Sequence, residues 1–344
     1  MSRRALTLLL ACVLALGLAI AGLGQAVPYV ALTPGPAYNT LGAVGGTEVL
    51  SISGRRTYPT DGALDLTTVS VKDNITLFEA VVGWLSPRQA VVPREVVFPP
   101  DRSAQEEKRQ TQQQMVASQD AATTAALRQL GVPSTTKVLV AAVDKGAPAE
   151  GRLKAGDILT SVDGTPVRDA ATLRGLIGRH RIGDPVRIGY TRGGKPGAVT
   201  LTTAPSPPDA GARRPVIGIQ SHEQVSFPVR VDIKLKDVGG PSAGLMFALG
   251  IIDKLGPDSL TGGRKIAGTG EITADGVVGP IGGIAQKLLG AKEQQATVFL
   301  SPAENCAEAK ANKPDGLTLV RVATLKGALA ALQTLRDGGA PPSC

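Results

Sequence analysis

The chain begins with an apolar run that carries no charge, at residues 5–24. Twenty such residues are about the length of a helix that crosses a bilayer. Two arginines in the opening "MSRR" favour a cytoplasmic start, which would place the chain after the run outside the membrane. A cleavable signal peptide is the alternative, because Gly24-Gln25-Ala26 resembles a small-residue cleavage site, but the run is longer than a typical signal core. We therefore predict an uncleaved transmembrane anchor.

Helical spacing of apolar positions predicts one long helix at residues 103–130. Ser103 and Glu106 form a capping-box pattern at its start, and Gly131 followed by Pro133 ends it. Its first half is polar on every side, which predicts a solvated helix or arm. Its second half carries the apolar residues that we expect to pack, Met115, Ala122, Ala126 and Leu130.

Short strands dominate two further parts of the sequence. Residues 28–100 read as short strands broken by Gly and Pro, and no candidate chemistry stands out there. In residues 136–204, strand-like runs surround one helix near 169–178, and these runs cover 138–143, 158–162, 186–190 and 199–203. The stretch "APSPPDAGARRP" at residues 204–215 has the composition of a linker.

From residue 216 onward, strands and helices alternate. The strand-like runs are 225–235, 266–273, 277–280, 297–300 and 317–322. The expected helices are a buried one at 243–255, ended by Gly-Pro, and two more at 284–295 and 325–335. This alternation predicts an α+β domain.

Composition and charge exclude some classes of function. The 344 residues carry a net charge of +8, but the basic residues are scattered, which suits a nearby anionic membrane surface better than DNA. Aromatic residues make up only 3%, too few for the stacking platforms that bind single strands. We predict no nucleic-acid partner.

The three cysteines fall in two settings. Cys12 lies in the apolar run and reads as a structural residue of the membrane span. Cys306 and Cys344 would lie in an oxidising compartment, where a disulfide can persist. Their spacing does not decide between one bridge and two unpaired thiols.

The sequence contains no complete nucleotide-binding motif and no metal-binding motif. "GYTRGGK" at residues 189–195 has the spacing of a phosphate-binding loop, but Pro196 occupies the hydroxyl position and no helix follows. Gly268-Thr269-Gly270 begins a dinucleotide pattern that Thr273 then breaks. Only His180 and His222 are available, and no Cys/His cluster is present. We predict no metal and no cofactor.

The stretch "DVGGPSAGLMFALGIIDKL", residues 237–255, places a hydroxyl at the mouth of an apolar helix. Ser242 can be read as a helix N-cap, with Pro241 suited to a helix start. It can also be read as a nucleophile, since a hydroxyl beside small residues at a helix N-terminus has backbone N–H groups close by for an oxyanion. This stretch alone favours the cap.

A nucleophilic Ser242 would need a base, and a lysine can serve when burial lowers its pKa. Lys287 fits, because Ile284, Lys287, Leu288 and Ala291 share one face of the predicted helix 284–295. A lysine that extends out from the edge of that face is the structural alternative. The periodicity does not separate the two.

Residues 136–204 resemble a PDZ domain. The resemblance rests on "GAPAEGRLKAGDILTSVDGTPV", with Gly156-Asp157 at one turn and Asp163-Gly164 in the next hairpin. It implies a groove that captures the end of a peptide by adding it to a sheet edge. The carboxylate-binding loop of this type normally precedes the first strand, which here falls near residues 131–136, where no clear signature stands.

Residues 216–337 resemble the proteolytic domain of the Lon family, whose members use a Ser-Lys dyad. The Ser motif "GPSAG" stands at 240–244, and the Lys motif stands as "GTGEITADGVVGPIGGIAQK" at 268–287. The resemblance implies that Ser242 is the nucleophile and that Lys287, 45 residues later, is its base. It also implies supporting roles for Thr269, which would accept a hydrogen bond from Lys287, and for Gly240 and Pro241 in the serine loop. The backbone around Gly240 and Ser242 would cradle the oxyanion.

The sequence departs from the ATP-dependent Lon members at one position and lacks their ATPase module. They carry an acidic residue three positions before the Ser, where this chain has Gly239, with Asp237 two residues further back. The whole pattern resembles the PDZ-containing Lon-like proteases of bacteria. That resemblance implies a membrane-anchored serine endopeptidase outside the cytoplasm, with a polypeptide substrate, a peptide ligand for the PDZ-like domain and, as in other Lon-type domains, a homo-oligomeric ring. A catalytically silent PDZ adaptor is the alternative function.

These readings predict an α+β, multidomain chain. It would consist of an N-terminal transmembrane helix, a PDZ-like β-rich domain and a Lon-type domain with a mixed sheet and packed helices. The expected divisions are 1–26 for the stub and anchor, 27–130 for an extracytoplasmic region with the long helix, 131–204 for the PDZ-like domain, 205–215 for the linker, 216–337 for the proteolytic domain and 338–344 for the tail.

Overall fold

The computed structural model describes residues 22–99, 102–207, 212–235 and 238–344, together with the single residues 10, 13 and 17. Most of the predicted membrane span, and Cys12 within it, therefore lies outside the described residues. Among the residues that are described, none belongs to a helix of the length and apolarity that a bilayer crossing requires.

The chain divides into two compact units. The first unit joins the residues up to Gly131 with Val229–Cys344, and the second unit is Val132–Pro228. The second unit is thus an insertion in the sequence of the first.

Between Tyr29 and Gly131, the described residues of the first unit form six strands and three helices. Its strands are β1 (Tyr29–Asn39), β2 (Ala43–Val44), β3 (Thr47–Glu48), β4 (Leu50–Ser53), β5 (Ala63–Lys72) and β6 (Ala90–Pro93). Its helices are α1 (Leu77–Leu85), α2 (Arg94–Val97) and α3 (Ala104–Gln129). The capping box predicted for α3 is confirmed, with Ser103 and Glu106 bonding reciprocally. Met115, Ala122 and Ala126 are buried as expected, and Leu130 is half-buried.

The second unit has a β-rich fold with one helix. It contains β7 (Thr135–Val143), β8 (Ile158–Val162), β9 (Thr165–Pro166), α4 (Ala170–Ile177), β10 (Pro185–Arg192), β11 (Lys195–Thr202), β12 (Ala204–Pro205), β13 (Pro215–Val216) and β14 (Ile219–Ser226). The main sheet has the order β11-β10-β8-β7-β14, with β9 beside β8. The four predicted strands and the helix are confirmed. The segment "GYTRGGK" lies in the β10–β11 hairpin, where Gly193 and Gly194 take positive φ.

The C-terminal segment returns to the first unit. It contains β15 (Arg230–Ile233), α5 (Gly244–Leu255), β16 (Lys265–Gly268), β17 (Glu271–Ile272), β18 (Val278–Gly279), α6 (Ile284–Glu293), β19 (Val298–Pro302), a 3-10 turn (Ala303–Asn305), α7 (Cys306–Ala311), β20 (Thr318–Val322) and α8 (Leu325–Arg336). The three helices expected here are confirmed as α5, α6 and α8.

A mixed six-stranded sheet organises the first unit, with the order β20-β19-β16-β5-β1-β6. Strands β20, β19, β16 and β5 are parallel neighbours, while β1 pairs antiparallel with both β5 and β6. The sheet is apolar where it is central, with every residue of β19 buried. Helices α5 and α6 both pack on β5, so they are held against the same strand.

The predicted domain divisions differ from these units in three places. Residues 27–130 were expected as a separate region, yet three of the six sheet strands, β1, β5 and β6, come from them. The strand expected at 225–235 is two strands, because Pro228 separates β14 from β15 and proline cannot donate to a ladder. Strand β14 pairs with β7 and so belongs to the second unit. The stretch expected as a linker closes a short ladder instead, since Pro205 pairs with Pro215.

Cys306 and Cys344 form a disulfide. Cys306, at the start of α7, is bonded to Cys344, with 5.1 Å between their Cα atoms. The bond attaches the C-terminal tail to the first unit and closes a loop of 38 residues, which is of the size that stabilises a fold by about 2–4 kcal/mol.

Candidate active site

Ser242 lies in the loop that enters α5. The loop ends on Ala243, and the helix that follows is buried at every residue. Gly244, its first residue, has no room for a side chain, because a Cβ there would lie 2.7 Å from Cγ2 of Ile272. The small residues of "GPSAG" therefore allow the serine loop to lie directly against β17.

The N-cap interpretation of Ser242 is wrong. The N-cap position of α5 is Ala243, and no side chain caps it. The backbone carbonyl of Ser242 accepts hydrogen bonds from the N–H of Gly270 at 2.8 Å and from Oγ1 of Thr269 at 2.9 Å. The Ser242 hydroxyl makes no hydrogen bond to the start of α5 and contacts another side chain instead.

That partner is Lys287, on the first turn of α6. Its Nζ donates to Oγ of Ser242 at 2.8 Å and to Oγ1 of Thr269 at 2.9 Å. Lys287 is only 3% exposed, and Ile284 and Leu288 beside it are fully buried. The alternative in which the lysine extends out to solvent is therefore excluded.

Burial changes the protonation of this lysine. Removal from water lowers the pKa of Lys287 to about 7, against a smaller opposite effect of the nearby Glu271 carboxylate. Near neutral pH a large fraction of the side chain is thus the free amine, which can accept a proton from the Ser242 hydroxyl that it contacts.

Thr269 connects the two reactive side chains and is fully buried. Because its hydroxyl donates to the carbonyl of Ser242, its lone pairs face the Lys287 nitrogen. The hydroxyl therefore fixes the position of the amine relative to the serine loop.

Gly240 shapes the loop but does not offer its N–H to an oxyanion. That N–H donates to the carbonyl of Thr111 at 2.9 Å, and Gly240 has a φ of +82°, which favours glycine. Among the described residues, no acceptor engages the N–H of Ser242. Of the two predicted oxyanion donors, the structure leaves only Ser242 available.

A cavity of about 550 Å³ opens over Ser242 and Lys287. Besides the serine loop, its walls come from β1, from Glu271 and from the part of β5 between Leu66 and Val71. The β5–β16 register ends at the pair Leu66 and Gly268, so further along the chain β5 pairs only with β1 among the described strands. Its other edge is open beside the serine.

Two contributions to this site were missed in the sequence. Helix α3 holds the serine loop, through the Thr111 carbonyl and through Ser118, whose Oγ donates to the carbonyl of Pro241 at 2.8 Å. Strand β5 forms a wall of the cavity. Both lie in residues 28–130, and in the sequence the whole second unit stands between them and Ser242. No local sequence pattern therefore connects them to the serine. The one feature of the sequence that could have indicated this contact is Ser118, a polar residue on the otherwise apolar face of α3.

The second unit has its own cavity of about 350 Å³, between α4 and β14. Strand β14 is the edge of the sheet, whereas β7 pairs on both sides, so the carboxylate-binding loop expected near residues 131–136 would precede a strand with no open edge. Gly218, which precedes β14, has a φ of +69°, and a Cβ there would come within 2.1 Å of the Ala147 Cβ. Arg174 and Arg214 also line the cavity.

The remaining candidate residues lie apart from these cavities. His180 pairs with Asp163, and His222 is exposed. Within the described ranges, no group of three or more His, Cys, Asp or Glu side chains is placed to hold a metal ion.

Comparison with protein families gives two matches. Residues 217–331 match the Lon protease (S16) C-terminal proteolytic domain, and residues 112–203 match the PDZ domain. The first range omits β5 and α3, and the second omits β14. The chain therefore carries a Lon-type serine peptidase domain and a PDZ domain in a mixed α+β architecture.

Curated relatives agree with the first match. Lon protease 2 of Bacillus subtilis is 35% identical over 105 residues, which are 30% of this chain and 18% of that protein. Lon protease 1 of Sorangium cellulosum is 40% identical over 101 residues, or 28% of this chain and 12% of that protein. The chain thus spans less than a fifth of the length of these relatives. They support a serine peptidase.

A solved PDZ domain is also similar to part of this chain. The PDZ domain of an SdrC-like protein from Listeria innocua is 30% identical and covers 25% of this chain and 93% of that chain, with a TM-score of 0.23. The PDZ assignment rests on the family match.

Proposed function

We propose that this protein is a serine endopeptidase that cleaves extended polypeptides with a Ser242–Lys287 dyad and without ATP. The observation that supports it most is the 2.8 Å contact between Oγ of Ser242 and Nζ of a buried lysine whose pKa is lowered to about 7. The fold brings a hydroxyl and an amine, 45 residues apart in the sequence, into contact in the wall of an open cavity.

The reaction follows from this contact. The neutral amine of Lys287 takes the proton of the Ser242 hydroxyl as Oγ bonds to the carbonyl carbon of a peptide. The resulting oxyanion accepts a hydrogen bond from the free backbone N–H of Ser242. The lysine then returns the proton to the leaving amine as the C–N bond breaks, which leaves an acyl-enzyme. A water then gives a proton to the same amine as its oxygen bonds to the acyl carbon. The lysine returns that proton to Oγ of Ser242 as the ester bond breaks, which releases the acid product.

The open edge of β5 suits an extended substrate. A peptide laid along the stretch from Thr67 to Val71 can hydrogen-bond to the backbone of β5 as an added strand, with its scissile bond beside Ser242. A folded chain cannot present its backbone in this way. Because the sequence carries no complete nucleotide-binding motif, we expect cleavage only of tails, loops or unfolded chains.

The PDZ domain supplies a second place for peptides in this proposal. Its groove has an open edge on β14, and the two arginines at its wall suit a free C-terminal carboxylate. Binding there would select substrates or regulate the peptidase.

We also propose that the protein works outside the cytoplasm, attached to the membrane by residues 5–24. The pairing of Cys306 with Cys344 supports an oxidising compartment. The uncharged run and its arginine flank support the attachment. A homo-oligomeric ring is a further expectation from the Lon resemblance.

The test compares the wild type with Ser242→Ala and Lys287→Ala on an unfolded, fluorescently labelled protein, with and without ATP. We expect cleavage by the wild type in both conditions and a loss of at least a hundredfold in each variant. Equal cleavage by all three proteins would refute the dyad. No cleavage by any of them, with PDZ ligand peptides added, would favour a catalytically silent adaptor.

A further inference from the structure

Helix α1 packs its small residues inward and its large apolar residues outward. Ala80 and Gly83 are buried, and a Cβ at Gly83 would lie 2.5 Å from Cγ2 of Val91. The opposite face, here called the α1 face, consists of six side chains that are 37% to 82% exposed, Leu77, Phe78, Val81, Val82, Trp84 and Leu85. A surface helix of a globular protein normally shows the reverse arrangement.

The α1 face is the main exposed apolar surface in the described part of the chain. It holds six of the fifteen large apolar side chains that are exposed there, and Val96 on α2 adds another at 70% exposure. Single exposed apolar residues are ordinary, but a contiguous group of this kind marks an interaction surface.

The N-terminal apolar run ends at this surface. The N–H of Leu77, the first residue of α1, donates to the carbonyl of Gln25 at 2.9 Å, and the N–H of Val27 donates to Ile75 at 3.0 Å. The uncharged run at residues 5–24 stops one residue before Gln25. Nine helical residues span about 14 Å, so the whole α1 face lies within about that distance of the point where the run ends.

The residues around the α1 face have the composition of a membrane–water interface. Trp84 packs edge-on against Tyr29, with 5.6 Å between the ring centres. Lys72, which pairs with Glu79 of α1, and Arg88, which follows α1 in the chain and pairs with Glu293, are each more than 60% exposed. Aromatic rings and cations beside an apolar surface are the usual arrangement at the level of lipid headgroups.

From this juxtaposition we propose that the α1 face lies in the boundary between headgroups and acyl chains of a lipid bilayer, beside the point where residues 5–24 enter it. The occupant of the face is lipid and not a second protein, because the covalent continuation of the chain at Gln25 is itself an uncharged run of bilayer length. The first unit would then be held against the membrane by two adjacent elements.

Trp84 is the only tryptophan in the chain and reports on this face directly. The full chain, carrying Ser242→Ala to prevent self-cleavage, is reconstituted in phosphatidylcholine–phosphatidylglycerol vesicles with lipids brominated at carbons 6 and 7 or at carbons 11 and 12. We expect the emission of Trp84 to fall at least twofold with the shallow bromines and less with the deep ones, and to be shielded from acrylamide. The inference rests on the proposed attachment through residues 5–24. Ser242 takes no part in this readout, so the result does not depend on the proposed peptidase activity.

Paired variants assign the effect to the face. Phe78→Ser with Leu85→Ser should reduce the bromine quenching to less than half of its initial value. Val116→Ser with Val277→Ser, at exposed positions elsewhere in the first unit, should leave it unchanged. The proposal is overturned if Trp84 remains open to acrylamide and unquenched by bromolipid. It is also overturned if Trp84 is shielded from acrylamide but unquenched by bromolipid, since a protein would then cover the face.

Discussion

The amine of Lys287 is the group on which the proposed chemistry depends at the residue scale. Burial lowers its pKa to about 7, so protonation below that pH removes the base. We therefore expect kcat/KM for an unstructured peptide to rise with pH and to level off above about 7, and Lys287→Met, which cannot take the proton, to be inactive throughout. A profile from pH 5.5 to 9 measures this. A rate that is flat or falls across pH 7 would contradict the assignment of Lys287 as the base.

Thr269 is expected to act as a positioning residue. In Thr269→Val the Lys287 ammonium loses an acceptor and the Ser242 carbonyl loses a donor. We expect kcat to fall by about 10- to 100-fold. The apparent pKa of the rate should also move lower, because the charged form of Lys287 is less stabilised.

Thr269→Ser keeps the hydroxyl and serves as the matched control. It should restore most of kcat and the pH profile of the wild type. A loss of activity with an unshifted pH profile in Thr269→Val would indicate a purely structural role for the buried threonine.

At the scale of elements, α3 is the support of the serine loop. Ser118→Ala removes the donor to the Pro241 carbonyl and leaves that carbonyl without its partner. We expect an unfolding free energy lower by about 1 kcal/mol and a several-fold lower kcat, since the loop that carries Ser242 is less fixed. Thr123→Ala on the same helix is the control and should leave kcat unchanged. Urea unfolding and peptide cleavage measure the two effects. An unchanged kcat in Ser118→Ala would show that the serine loop keeps its position without the hydrogen bond from Ser118.

Elements also show what the sequence could predict. Helices α3, α5, α6 and α8 and four strands of the second unit, β7, β8, β10 and β11, were placed within a few residues, because each carries its own cap or period. The dyad partners were found from two motifs and from the single face that Lys287 shares with apolar neighbours. The distance between the two side chains depends on the tertiary fold, so only the structure shows it.

Whole-molecule features were the ones that the sequence could not supply. The pairing of β5 with β16 joins residues about 200 positions apart, and nothing in either segment specifies the other. The same is true of β14, which follows the rest of its unit yet pairs with the first strand, β7. The first unit was thus divided at the wrong places, and the carboxylate-binding loop of the second unit was expected before a strand that has no open edge.

The corrected position of the groove leads to a prediction about the second unit. A peptide that adds to β14 would bring its free carboxylate towards Arg174 and Arg214. We expect Arg174→Glu to weaken binding of such a peptide by roughly three- to tenfold, as befits an exposed charge pair. The peptide with an amidated end should bind wild type and variant alike, and Arg179→Glu, exposed just after α4, should not weaken binding of the free acid. Titration by fluorescence anisotropy measures all four cases. If Arg174→Glu and the wild type bind the free acid equally, the cavity beside α4 does not receive a peptide carboxylate, and a different surface of the second unit must select the chains that Ser242 cleaves.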